Sequence, residues 1–244
     1  MTIQEYQTRC YREYKQAVGL PEDYRFIYGN PVNVLVPIET KVGGVMVVGA
    51  YPSAKFATIQ GITDVPVASN DAPFSSEIYF DGSRVRRIPS GEELEENYLR
   101  PLGISRAQCW ITNLVKVFLF KPGHVNRYHR LGVRAIETRS WYRELAQKSL
   151  PWLWEEISLA QPKLIIFLSV DVVATVFGVS RNQATEYLDG QIRLLPGTTG
   201  TYQALCLPHP GILMKPSVRN PWPERFREEI IPRAIGEIQK ILCR

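Results

Sequence analysis

Residues 45–53 read VMVVGAYPS, an apolar run that ends in a glycine and then turns at a proline. The run is short and continuous. It lacks the alternation of a half-exposed strand, so it reads as a strand buried on both faces. Three more runs share this character: CWITN over Cys109–Asn113, LIIFL over Leu164–Leu168 and ALCL over 204–207. Helical patterns separate them at 91–102, 136–158 and 171–177, and an amphipathic helix over 223–242 closes the chain. Ser90 ahead of Glu92 and Glu93 marks a helix start, because acids in a first turn suit the helix dipole. This alternation predicts one α/β domain with a central four-stranded parallel sheet and helices on both faces.

Working outward, residues 3–18 read as one more helix on the outside. Residues 1–40 are then an N-terminal helical extension packed on the core, and 41–244 the α/β domain. Residues 57–87 contain Gly, Pro, Asn and Asp but little periodicity. They read as a long irregular excursion between the first strand and its next helix, the kind of loop that tends to carry function.

Apolar residues make up 45% of the 244 and charged residues 22%, which excludes a disordered chain. No run approaches the roughly 18 uncharged apolar residues of a membrane helix. The first residues show neither the apolar core nor the cleavage site of a secretory signal. A cytosolic or nucleoid-associated protein is expected. Cys10, Cys109, Cys206 and Cys243 are dispersed without a CxxC pair and read as buried free thiols rather than disulfides or metal ligands. The net charge of +5 has basic residues gathered at Arg84, Arg86 and Arg87, over 121–134 and over 215–219. These clusters fit a phosphate-bearing partner and equally fit three solvated loops.

Open parallel sheets bind ligands beyond the carboxyl ends of their strands. Here those ends are Gly49-Ala50-Tyr51-Pro52-Ser53, Thr112-Asn113, Ser169 and Pro208-His209-Pro210-Gly211. An asparagine, a histidine and a glycine–proline turn therefore converge on one cleft. Each alone has a plain alternative: a tight turn for 49–53, a cap or backbone partner for Asn113, a structural role for His209. The prolines flanking His209 fix its backbone where precision matters. His124 and His129 sit in a basic loop and read as solvated.

The order of the segments VMVVGAYPS, APF, WITNLVKVF, QPKLIIFLS and CLPHPGILMK resembles that of the uracil-DNA glycosylase superfamily, and the pair ITNLVKVF and QPKLIIFLS looks much like its thermophilic branches. The resemblance implies a monofunctional DNA glycosylase of base excision repair, acting on a flipped uracil or related deaminated base.

 The reaction so implied is hydrolysis of the N-glycosidic bond in single- or double-stranded DNA, by a monomer that needs no metal or organic cofactor. Some relatives carry a four-cysteine iron–sulfur cluster, but an amino-terminal cysteine pair is missing here.

Carried over residue by residue, the resemblance places Phe74 against the face of the flipped base and Asn113 on its N3 and O4 edge. It places His209 as the donor to charge developing near O2. Gly49, Ala50, Tyr51, Pro52 and Ser53 would contact the base and flanking phosphate, with Ser169 as a further substrate contact. Pro210, Gly211, Leu213, Met214 and Lys215 would meet DNA, the apolar pair as wedges in the vacated stack and the lysine on phosphate. The alternative for this last segment is a helix start with apolar core residues.

The match fails at one point. The best-known members carry an acid or asparagine inside the first turn to handle water, and this chain has Ala50 and Tyr51 there. Tyr51 then reads as a wall against larger bases or a thymine methyl. Glu77, three residues beyond Phe74, and Asp71, ahead of the APF segment, are the candidate replacements, each with a surface or capping role as its alternative. The missing acid also motivates a second reading, an inactive nucleic-acid-binding module that kept the fold. An unrelated α/β hydrolase is disfavoured, since no GxSxG elbow accompanies the histidines.

Overall fold

The computed structural model describes residues 1–198, 200–213, 217 and 219–242. Nine strands occur among them: β1 (Val45–Gly49), β2 (Ala54–Ile59), β3 (Ile62–Ser69), β4 (Glu77–Phe80), β5 (Val85–Ile88), β6 (Cys109–Asn113), β7 (Leu164–Leu168), β8 (Ile192–Pro196) and β9 (Thr201–Leu207). The helices are α1 (Ile3–Ala17), α2 (Ser90–Leu94), α3 (Pro122–Arg130), α4 (Tyr142–Ala160), α5 (Val170–Phe177), α6 (Arg181–Glu186), α7 (Pro210–Leu213), α8 (Trp222–Arg225) and α9 (Ile231–Leu242). Wider π-type turns over Glu95–Leu99 and Phe226–Ile230 extend α2 and join α8 to α9.

The main sheet has the order β6-β1-β7-β9-β8, and its first four strands are parallel. These are the four strands expected from their apolar runs. β8 adds an antiparallel edge that the sequence reading did not include. Its residues are mostly half-buried or exposed, so it lacks the continuous apolar signal of the inner strands.

Strand alternation divides the core in two. Met46, Val48, Trp110, Ile165, Phe167 and Cys206 face the layer that contains α1, α4 and α5. Val45, Val47, Ile111, Ile166 and Leu205 face the opposite layer, formed by Leu94, Tyr98, Phe226, Ile230 and α9. Helices thus cover both faces, as a buried parallel sheet requires. α1 enters the first layer through Tyr6, Cys10 and Tyr14, all fully buried.

A buried ion pair ties the sheet to α4. Lys116 Nζ lies 2.7 Å from Glu156 Oε2, and both side chains are inaccessible to solvent. Lys116 also donates to Thr112 Oγ1 (3.0 Å) and to the Asn113 carbonyl (3.4 Å), while Trp110 Nε1 and Thr112 Oγ1 donate to Glu156. The end of β6 is therefore fixed from below by a satisfied polar network.

The stretch 57–87 departs from the expected irregular loop. It forms most of two antiparallel hairpins, β2–β3 and β4–β5. The first turns at Gln60 and Gly61, both with positive φ (48° and 75°), as a tight hairpin turn demands. The second turns around Asp81, whose Oδ1 accepts from the backbone N–H groups of Ser83 and Arg84. Register shifts at Lys55/Phe56 and Ala57/Ile59 break the period of two, which explains why these strands carry little visible alternation.

The basic stretch 121–134 is also corrected, because most of it is α3 and not a loop. His124 is buried there and not solvated, with its ring stacked on Phe118 at 5.4 Å. His129 is exposed, as expected. Among the described residues Cys10, Cys109 and Cys206 are buried free thiols; Cys243 lies outside them.

Candidate active site

The parallel register sets Gly49 directly beside Asn113 at the carboxyl end of the sheet. The chain beyond β6 remains tied to the chain beyond β1: the N–H of Leu114 donates to the Gly49 carbonyl (2.8 Å) and that of Val115 to the Ala50 carbonyl (3.0 Å). These ends open into a cavity of about 240 Å³, lined among others by Tyr51, Phe74, Glu93, Asn113 and His209. That volume is below the roughly 300–1,000 Å³ of sites for drug-sized ligands and suits one small planar group.

Gly49 is what allows this convergence. A β-carbon there would collide with Asn113 Oδ1 and lie 2.6 Å from the Phe74 ring. The amide and the aromatic face therefore meet over bare backbone. Asn113 is 2% exposed, and its Nδ2 has no hydrogen-bond partner among the described residues. Leaving a buried amide donor unmade costs about 1–3 kcal/mol, and Asn113 is one of the residues that line the cavity.

Phe74 holds a positive φ of 50°, an uncommon backbone for a residue with a side chain. Arg106 keeps it there. Its Nη2 donates to the Phe74 carbonyl (3.0 Å) while its Nε is anchored on Glu39 at 2.6 Å. Backbone strain held by surrounding ties is characteristic of ligand-contacting residues.

His209 is exposed at the cavity mouth. Its Nδ1 accepts the backbone N–H of Gly211 at 2.9 Å, which leaves the ring proton of a neutral imidazole on Nε2. The preceding Pro208 carbonyl accepts from Tyr98 Oη at 2.6 Å, so the backbone leading into the histidine is pinned as well.

A family model for the Uracil DNA glycosylase superfamily matches residues 39–230, well over half of the chain. The chain belongs to that superfamily. No curated protein matches it. Its function is thus of the DNA glycosylase type, with DNA as the partner, and its single α/β domain with a mostly parallel central sheet is the fold of the superfamily. No helix among the described residues is long and apolar enough to cross a membrane.

The remaining residues expected of a uracil DNA glycosylase relative separate into those that reach the cavity and those that do not. Ala50, Tyr51, Pro52, Ser53, Pro210 and Gly211 line it. Tyr51 forms a wall, its ring 5.9 Å from that of Tyr142 and 5.4 Å from the Arg139 guanidinium. Ser169 does not line it. Its Oγ accepts the N–H of Val172 and caps α5, on a backbone with φ 118°. Leu213 packs partly buried against the second core layer, while Ile212 beside it is exposed. Met214 and Lys215 lie outside the described residues.

Asp71 and Glu77 are both bound to Lys55, at 2.9 Å and 2.6 Å, and neither lines the cavity. Glu77 also accepts the Asp71 N–H at 2.7 Å, so the pair closes the loop that carries Phe74. Glu93, marked in the sequence only as a first-turn acid, is the carboxylate that lines the cavity among the described residues. The cluster of Arg84, Arg86 and Arg87 is spent locally: Arg86 binds Asp81 and Asp64, and Arg87 binds Glu92.

A larger cavity of about 820 Å³ lies beyond Tyr142, lined by Arg139, Arg143, Arg181 and Asp171 among others. It contains none of the strand-end residues. Arg139 joins the two spaces, its guanidinium 5.4 Å from the Tyr51 ring and 4.9 Å from that of Tyr142.

Proposed function

We propose that the protein hydrolyses the N-glycosidic bond of uracil, or of a related deaminated base, in DNA as the first step of base excision repair. It would act as a monomer on nucleoid DNA. The observation that carries this reading is the buried, unpartnered Nδ2 of Asn113, set against the Phe74 ring in a cavity the size of one small ring.

Reaching that cavity requires the base to leave its stack, at a cost of a few kcal/mol. Stacking on Phe74 returns about 1–3 kcal/mol. The Asn113 amide offers both a donor and an acceptor, which is what the N3 and O4 edge of uracil requires. As the bond to C1′ breaks, charge gathers on the ring near O2. The bond at Nδ1 leaves the proton of a neutral His209 ring on Nε2, which would serve as a preorganised donor to that charge. Tyr51 would limit the width of the pocket, and the arginines beyond it would receive phosphate.

The test is single-turnover release from single- and double-stranded oligonucleotides containing uracil, hypoxanthine or xanthine. Wild type is expected to leave an abasic product on at least one substrate. Asn113→Ala and His209→Ala should each slow release by about 10²–10³-fold with the melting temperature retained. Full activity in both variants would overturn the site. Salt-sensitive DNA binding by wild type with no abasic product across the panel would establish an inactive binding module instead, the reading that Ala50 and Tyr51 favour.

A further inference from the structure

Hydrolysis needs a water brought to C1′, and the turn after β1 offers only Ala50 and Tyr51 for that task. Asp71 and Glu77 share the single charge of Lys55, and neither lines the cavity. A different carboxylate is available. α2 sits directly on the loop that carries Phe74: Ser90 Oγ donates to the Ser75 carbonyl (3.0 Å), and so does the N–H of Gly91 (3.1 Å). Gly91 permits this seat, since a β-carbon there would lie 2.9 Å from the Ser76 nitrogen and closer still to the Phe74 carbonyl oxygen.

This packing brings Glu93 to the cavity wall. Its side chain is half-buried and has no hydrogen bond or ion pair among the described residues. The titratable groups near it are Tyr98 on the same helical segment, with Tyr51 and His209 lining the same cavity, and no lysine or arginine is among the described lining residues. Burial raises the Glu93 carboxyl above the ordinary glutamate range. A half-buried carboxylate with no cation beside it among the described residues serves no evident structural purpose, and it shares a cavity with the groups proposed to hold the base.

We propose that Glu93 is the general base that activates the attacking water. The proposal rests on the glycosylase reading above. In the step, the water oxygen bonds to C1′ as the bond from C1′ to the base breaks, and the bonding pair leaves with the base. Glu93 takes one proton from the water and returns it to the departing base or to solvent. The products are the free base and an abasic sugar bearing the new hydroxyl.

The experiment compares wild type, Glu93→Gln and Glu96→Gln in single-turnover uracil release from acidic to neutral pH. Affinity is measured alongside on an oligonucleotide carrying 2′-fluoro-deoxyuridine, which resists hydrolysis. A base acts when deprotonated, so the wild-type rate should rise with pH through the Glu93 titration and then level off. Glu93→Gln should lose about 10²–10⁴-fold in rate and lose that acidic limb, with affinity retained. Glu96→Gln, an exposed acid of the same segment that pairs with Arg100 and lies outside the cavity, should keep both. A wild-type rate and limb in Glu93→Gln, while His209→Ala is impaired, would overturn the role of Glu93 and leave the glycosylase reading standing. Absence of any base release by wild type would overturn both. If Glu93→Gln does not fold, Glu93→Asp decides: a slower rate with a displaced limb supports the role, and an unchanged profile overturns it.

Discussion

The cavity joins two regions of different construction. Its floor is the parallel sheet, where every residue of β1, β6 and β7 is buried and the end of β6 rests on the Lys116–Glu156 network. Its roof is the pair of hairpins with α2. The first hairpin packs Ala54, Ile62 and Val65 into the core, but the second exposes Ile78, Phe80 and Val85 and is held largely by side-chain ties such as Arg86 to Asp81, while Lys55 and Arg106 hold the loop that carries Phe74. The floor contributes Asn113 and His209, and the roof contributes Phe74 and Glu93. Proteins open locally where buried apolar contacts are fewest. The division therefore puts the Asn113 amide on rigid ground and the Phe74 ring on the part that yields more readily.

Three substitutions can break or sharpen that contrast. The largest effect should come from the floor. Lys116→Met leaves Glu156 charged and unpaired in the core, and is expected to cost about 3–5 kcal/mol, read by denaturant unfolding. A loss below about 1 kcal/mol would show that the floor does not depend on this pair.

The seam between the regions should follow next. His124 lies 5.6 Å from Phe56 of the roof and 5.4 Å from Phe118. Burial first, then the charges of Lys121 and Arg127, lower its pKa to about 4. The native state thus holds the ring neutral where the unfolded chain, at about 6.5, takes up a proton. Stability from this group is present above the unfolded value and is lost as pH falls from about 6.5 to about 4, by at most about 3 kcal/mol. His124→Phe should flatten the melting temperature over that interval, and an unchanged slope would remove His124 as its source. The smallest effect belongs to the roof. Phe74→Ala should weaken binding of an extrahelical base by about 1–3 kcal/mol while moving the melting temperature far less than Lys116→Met.

The same contrast governs what could be read from sequence. Floor strands announce themselves because a five-residue apolar run between turns has few other fates. Their carboxyl ends then gather Gly49, Asn113 and His209 without further information. Neither hairpin is legible in the sequence: bulged register breaks the alternation of the first, and the strands of the second are only four residues long. Glu93 carried no signal of its own. Its place depends on how closely Gly91 lets α2 approach the 74–76 loop, a fact of packing. Glu77 and Asp71 stood at suggestive distances from Phe74 in sequence, but Lys55 reaches them first.

Gly49 has a thermodynamic consequence. Phe74 from the roof and Asn113 from the floor both occupy the space a β-carbon there would claim, so neither can shift without altering what the other meets. Their contributions to holding a base should then be non-additive, with a coupling energy of about 0.5–3 kcal/mol in a double-mutant cycle. Stacking and edge recognition would be a single cooperative event, sensed at one glycine where the two halves of the molecule touch.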